Sequence, residues 1–220
     1  EIKEQSLSNR VDIFVEDNAF PVDLAESYLS AAKKLGFDIT IHADQFTTGG
    51  SELAVKLGAL SADHLEASTE REIDMLAQSD VVAVALPGAS LGLGMQFTPA
   101  RKLLDAGANL AISTDWNPGS APMGDLLVQA SLLGIYEKLS SAELLAGITF
   151  RAAKALGLSD RGRLSVGFQA DMIAFPVKDY RDVFYNQGRV KHEARTDFDG
   201  EFYISNINPG EYYLMTDGDV

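Results

Sequence analysis

Five short runs, apolar or β-branched almost throughout and separated by stretches of helical pattern, constrain this chain more than any other feature. The runs lie at 11–15, 38–41, 60–62, 81–85 and 108–113, and the helical stretches between them at 22–35, 50–57, 69–78 and 99–106. A strand with no polar face must be covered on both sides, which is the condition of a parallel sheet. Strands joined through helices then form right-handed βαβ units. The punctuation agrees, since Gly36 and Gly107 are helix-stop signals ahead of the second and fifth strands. Ser68 or Thr69 caps a helix whose first turn carries Glu70 and Glu72. Two further helices are expected at 124–138 and 141–156, with Ser140 or Ser141 and then Glu143 between them.

The pattern changes after Gly157. RGRLSVGFQADMIAFPV reads as two short strands about a turn at Val166-Gly167. From Thr196 the residues alternate with period two, and FYI and YYL flank an Asn208-Pro209-Gly210 turn, the pattern of antiparallel β-structure. Three segments follow: an α/β body over about 1–157, a short β return over about 158–190 and an all-β tail over about 191–220.

Composition excludes several classes. Eighteen basic against 32 acidic residues give a net charge of −14, which repels phosphate backbones and argues against a nucleic-acid partner. The absence of cysteine removes disulfides, thiolate metal sites and thiol nucleophiles, and is compatible with a reducing cytoplasm. No apolar run reaches the roughly 18 residues of a membrane span, so no membrane partner is expected. No signal peptide is read, and a chain that starts at Glu1 is expected to be a processed product or a piece of something longer.

The candidate chemistry sits at strand ends. The chain has three histidines: His42 ends the second strand, and His64 follows the third. Asp115 stands at the end of the fifth strand, in AISTDWNPGS. In a (β/α) barrel that end of the strands carries the active site. Imidazole and carboxylate together suit zinc or iron. Taken singly, a strand-end histidine is more often structural and a strand-end aspartate a turn or cap residue. Three at matching ends favour a metal or acid–base site. LPGASLGLG lacks the spacing of a dinucleotide loop and the lysine of a phosphate loop, and reads as a flexible loop over the site. NPGSAP is turn chemistry first, although the Asn117 side chain and the Gly119 and Ser120 amides suit a polar ligand. Trp116 is read as packed rather than stacked on a substrate, and Asp197 with Asp199 as a β-turn rather than a calcium loop.

VDIFVED, IHADQF, GALSADHLE, VAVALPGA and STDWNPGSAPMGDLL together resemble the metal-dependent amidohydrolase superfamily, and within it the imidazolonepropionases, over about residues 8 to 190. The resemblance implies a partial (β/α)8 barrel of about strands four to eight, followed by short β return strands and the antiparallel β tail. It implies one divalent metal, zinc or iron, held by His42 and Asp115, with Asp115 also taking a proton from the bound water. His64 would orient that water or polarise the substrate carbonyl. Gln45, Asn117, Gly119 and Ser120 would contact a small-molecule substrate. Asp44 would support them. The reaction implied is hydrolytic ring opening of 4-imidazolone-5-propanoate to N-formimino-L-glutamate in histidine degradation, in the cytoplasm, in a complete protein rather than in this chain alone.

The chain departs from that pattern in two ways. The family's first barrel strand carries an H-x-H pair, and no H-x-H occurs here. Five units fall short of a barrel's eight, so both outer strands are expected to present open edges. A homodimer is one way to complete the site. The tail resembles part of a carboxypeptidase-regulatory-like β-sandwich module, so residues near 191–195 read as a junction, against the alternative of a native appended hairpin. Two other functions stay open: another cyclic-amide hydrolase or ring deaminase of the superfamily, and a non-catalytic β-sandwich interaction module.

Overall fold

The computed structural model describes residues 1–185, 192–194 and 213–214. The five apolar runs form β1 (Arg10–Phe14), β2 (Asp38–Ala43), β3 (Ser61–His64), β4 (Val82–Ala85) and β5 (Leu110–Ile112), all parallel and side by side in that order. Registered neighbours in a parallel sheet share a face, so the register sorts the side chains into rows. Ile13, Ile41, Ala62, Ala83 and Leu110 form one row. That face packs on the connecting helices α1 (Val22–Lys34), α2 (Gly50–Leu57) and α3 (Glu70–Ala77). Leu29, Leu53, Ile73 and Leu76 are the buried knobs of those helices, each contributing about 1.5–3 kcal/mol by leaving water. The other face carries Phe14, His42, Asp63, Val84 and Ala111 in one row, with Asp12, Thr40 and Ser61 in the row behind.

The remaining elements of the body are α4 (Pro87–Gly92), α5 (Ala100–Ala106), α6 (Leu126–Glu137), α7 (Ser141–Ile148) and α8 (Phe150–Ala155). Two expectations change here. Residues 87–92 are a helix, not a flexible loop: Pro87 starts it, and Gln129 of α6 accepts the Gly88 amide at 2.9 Å. The single helix expected over 141–156 is broken at Thr149, whose φ of −120° and ψ of −103° are not helical. Both cap alternatives resolve to the box form. Thr69 pairs with Glu72, and Ser140 with Glu143.

The break lets α8 turn onto the polar-rowed face of the sheet. Ala155 and Ala152 pack on Val82, Val84 and Ala111. The Arg10 guanidinium donates to the Leu156 carbonyl at 2.6 Å, tying the end of α8 to β1. Over β4 and β5 the polar-rowed face of this half of a (β/α)8 barrel is therefore covered, while His42 and Asp12 stay partly exposed, and the β5 edge is flanked by α7 and α8 rather than left bare. Beyond it lies one return strand, not two: β6 (Met172–Phe175). Gly162 and Gly167, at φ +90° and +85°, turn the chain on either side of 163–166 and leave no length for a second ladder. A short helix, α9 (Asp182–Tyr185), packs on α6, where the Phe184 carbonyl accepts from Ser131. β7 (His192–Ala194) and β8 (Tyr213–Leu214) pair antiparallel on either side of β6. The turn at Asn208-Pro209-Gly210, the Asp197 and Asp199 pair and the expected junction side chains lie outside the described residues.

Candidate functional site

The polar row meets at the C-terminal ends of the strands. His42 Nδ1 lies 2.7 Å from Asp12 Oδ2, while Asp12 Oδ1 accepts from Thr40 Oγ1 at 2.8 Å. Asp63, opposite His42 in the register, completes a triangle in which one ligand atom of each residue lies within 4.8 Å of the others. The Asp12 carboxylate raises the His42 imidazole above its ordinary value against the lowering effect of burial, and Asp63 and Asp115 add to the rise. Burial pushes the Asp63 carboxyl up to about 6, although Ser61 and His42 pull it down. Asp115 lines the same cleft of about 420 Å³, together with His42, Asp63, Ser61 and Arg10.

His64 reaches the site by breaking its strand. The register places it beside Ala43, in a row that would point toward the helices. Its φ of +86°, followed by +71° at Leu65, ends the alternation there, and the ring lies 5.3 Å from the ring of His42, centroid to centroid. A left-handed residue with a side chain costs about 1–3 kcal/mol and persists only where neighbours fix it. The Thr98 hydroxyl donates to the His64 carbonyl, and the Leu65 amide to the Ala43 carbonyl at 3.0 Å. Asp44 and Asp115 share this left-handed turn at φ +51° and +49°.

His42 and Asp115 thus line one cleft at the strand ends, and the His64 ring lies beside that of His42. The other expected residues stand around it. Gln45 is buried two residues after the end of β2. Asn117 is engaged within its own turn, accepting the Gly119 and Ser120 amides at 2.8 Å each and donating to the Asp115 carbonyl at 2.7 Å. These three residues fix the loop that carries Asp115. Trp116 is 75% exposed, not packed in the core. Asp12, Asp63 and Glu66 were not singled out from sequence. Asp12 carried a readable signal: it is the one acid inside an otherwise apolar strand run, where an acid needs a reason to be.

A half barrel with histidines and carboxylates at its strand ends defines a class of metal-dependent hydrolases and deaminases. The amidohydrolase family model matches residues 10–196, and the chain belongs to that family. It is similar to the imidazolonepropionase of Deinococcus deserti, with 46% identity over 84% of this chain and 46% of that protein. To the imidazolonepropionase of Bdellovibrio bacteriovorus it is 42% identical, over 88% and 46%. The chain spans about half the length of the curated relatives it matches. A zinc-bound adenosine deaminase from Xanthomonas campestris superposes with a TM-score of 0.69 at 25% identity, covering 80% of this chain and 48% of that one. A Xaa-Pro dipeptidase with methionine in its active site has a TM-score of 0.71 at 19% identity, over 92% and 56%, a likeness of fold alone.

Proposed function

We propose that this chain supplies the His42–Asp115 half of an imidazolonepropionase site, which opens the ring of 4-imidazolone-5-propanoate by hydrolysis to N-formimino-L-glutamate in histidine degradation. The meeting of His42, Asp63, His64 and Asp115 at one strand mouth carries the reading. Its support from sequence is the 46% identity to an imidazolonepropionase.

The residues fit a divalent cation. Asp63 Oδ1 is buried without a hydrogen-bond partner, and it faces an imidazole and a second carboxylate. An unpaired buried acceptor of that kind is stabilised by a cation. Asp12 Oδ2 stands 2.7 Å from Nδ1 of His42, which leaves Nε2 to ligate, as in the carboxylate–histidine arrangement at metal sites. His42 and Asp115 would hold the ion, zinc or iron, with Asp63 beside them. When bound, the ion supplies the Lewis acidity that brings water's ionisation toward neutral pH. Asp115 takes the proton of the attacking water. His64 orients that water or polarises the ring carbonyl. Gln45 and the Asn117–Ser120 turn hold the substrate. The remaining ligands come from outside this chain, from the rest of the protein or from a second copy in a homodimer. A cytoplasmic location belongs to the same proposal. Among the described residues no helix is long and apolar enough to cross a membrane.

The likeness to a zinc-bound adenosine deaminase favours a second reading, a ring deaminase of the same family. Metal analysis and imidazolonepropionate turnover on this chain, alone and within the complete protein, test both. The expected result is turnover and about one tightly held metal in the complete protein, both lost in H42A. Ammonia release from a purine or pyrimidine ring, with no opening of imidazolonepropionate, would select the deaminase.

A further inference from the structure

Glu66 is a buried acid with no part in the roles above. Its side chain is 2% exposed and follows β3 by two residues. Oε1 accepts from Ser90 Oγ at 2.7 Å, and Ser90 is itself fully buried on α4. Oε2 has no hydrogen-bond partner and lies 3.7 Å from Nδ1 of His64, which has none either. Left apart, two such buried atoms each carry an uncompensated desolvation cost, and matched to each other they do not. The separation is a few tenths of an ångström beyond a hydrogen bond, within reach of a small side-chain rotation. A carboxylate oxygen only accepts, so the match requires hydrogen on Nδ1. The neutral ring then has Nε2 as its acceptor.

We propose that Glu66, anchored by Ser90, is a positioning residue that fixes His64 in the Nδ1–H tautomer. The inference rests on His64 acting in the proposed hydrolysis, and it chooses between the two roles left open there. A ring with a bare Nε2 accepts a hydrogen bond from water and orients it, whereas polarising a carbonyl would need a donor at that nitrogen. The short helix α4 gains a purpose, since it carries the serine that holds the acid.

The test is nitrogen-15 NMR of the imidazole rings in the labelled chain, above the pH range in which the rings titrate. Three histidines keep the spectrum simple, and H64Q assigns the signal. The expected result is Nδ1–H with bare Nε2 at His64, lost to a mixture of tautomers in E66A and restored in E66Q, whose amide oxygen can accept. S90A should shift the population in the direction of E66A. A wild-type ring carrying its hydrogen on Nε2, or an E66A spectrum unchanged from wild type, would overturn the proposal. If E66A does not fold, the wild-type tautomer and S90A decide. None of these readouts uses turnover, so the tautomer assignment can fail while the ring-opening reading stands, and the reverse.

Discussion

Asp44 shows how a single residue fixes the strand end that delivers His42. It is fully buried, at φ +51°, and its two oxygens take the Ser51 amide at 3.1 Å, the Ser51 hydroxyl and the Ser68 hydroxyl at 2.8 Å. Burial still pushes its carboxyl above the ordinary range, against those hydrogen bonds. Removing the acid leaves three donors facing an apolar space, so D44A should lose about 3 kcal/mol in urea unfolding. It should also weaken metal retention, because the turn behind His42 loses its anchor. A loss under about 0.5 kcal/mol, as for an ordinary surface site, would mean that the turn is held by its backbone alone. His42, His64 and Asp115 were legible because polar residues at the ends of apolar runs stand out. Asp63 and Glu66 were not, since their neighbours set their meaning. Parallel register puts Asp63 opposite His42, and only the left-handed turn at His64 brings that ring back across the strand.

At the scale of elements, the strand-end loops are chained by their acids. Glu16 after β1 accepts the Phe46 and Thr47 amides at 2.8 and 3.1 Å. Asp44 after β2 takes Ser68, and Glu66 after β3 takes Ser90. Each of these three units thus holds the segment that follows the next strand, and the strand order β1 to β4 is written again along the rim. The order itself was legible from the βα rhythm, but α4 was not: two glycines in six residues disfavour a helix, and tertiary packing overrode that propensity. Gly92 is required there, since an added Cβ would sit 1.8 Å from the Ser120 carbonyl oxygen. G92A should cost about 3 kcal/mol or more and displace the Asn117–Ser120 turn; a neutral G92A would show that α4 can move freely. The Ser140–Glu143 box adds a pH dependence. Desolvation works to raise the Glu143 carboxyl, but hydrogen bonds from Ser140 and Arg101 outweigh it and hold it below its ordinary value. A carboxyl depressed in the folded chain stabilises above its unfolded pKa and loses that contribution as pH falls through the folded one. E143Q should therefore cost about 1 kcal/mol at neutral pH and progressively less as the pH falls through the folded carboxyl's own pKa. A penalty independent of pH would trace it to packing instead.

For the whole molecule, the decisive question is what covers the face that a closed barrel would fill with side chains from all eight strands. Five strands cannot close, and a bare polar-rowed face beside Val82, Val84 and Ala111 would leave apolar surface in water. The structure resolves this by swinging α8 across the sheet. Small residues, Ala152 and Ala155, allow the close approach, and Leu156 ends beside Arg10 on the far strand. The sequence could not show this, because residues 141–156 read as one helix and nothing local marks Thr149 as the hinge that frees α8 from α7. The arrangement is open to a direct distance measurement. The chain has no cysteine, so L156C would carry a single nitroxide, and Leu156 is exposed enough to accept one. With α8 across the sheet, the label should broaden the amides of Arg10 and of Leu60, whose side chain approaches Gly157. Joining the complementary half of the barrel in trans should relieve that broadening, as strands replace the helix on this face. If Arg10 and Leu60 stay sharp in the chain alone, α8 lies with α7 on the helical side. The cleft around His42 would then be open to solvent before any partner half arrives.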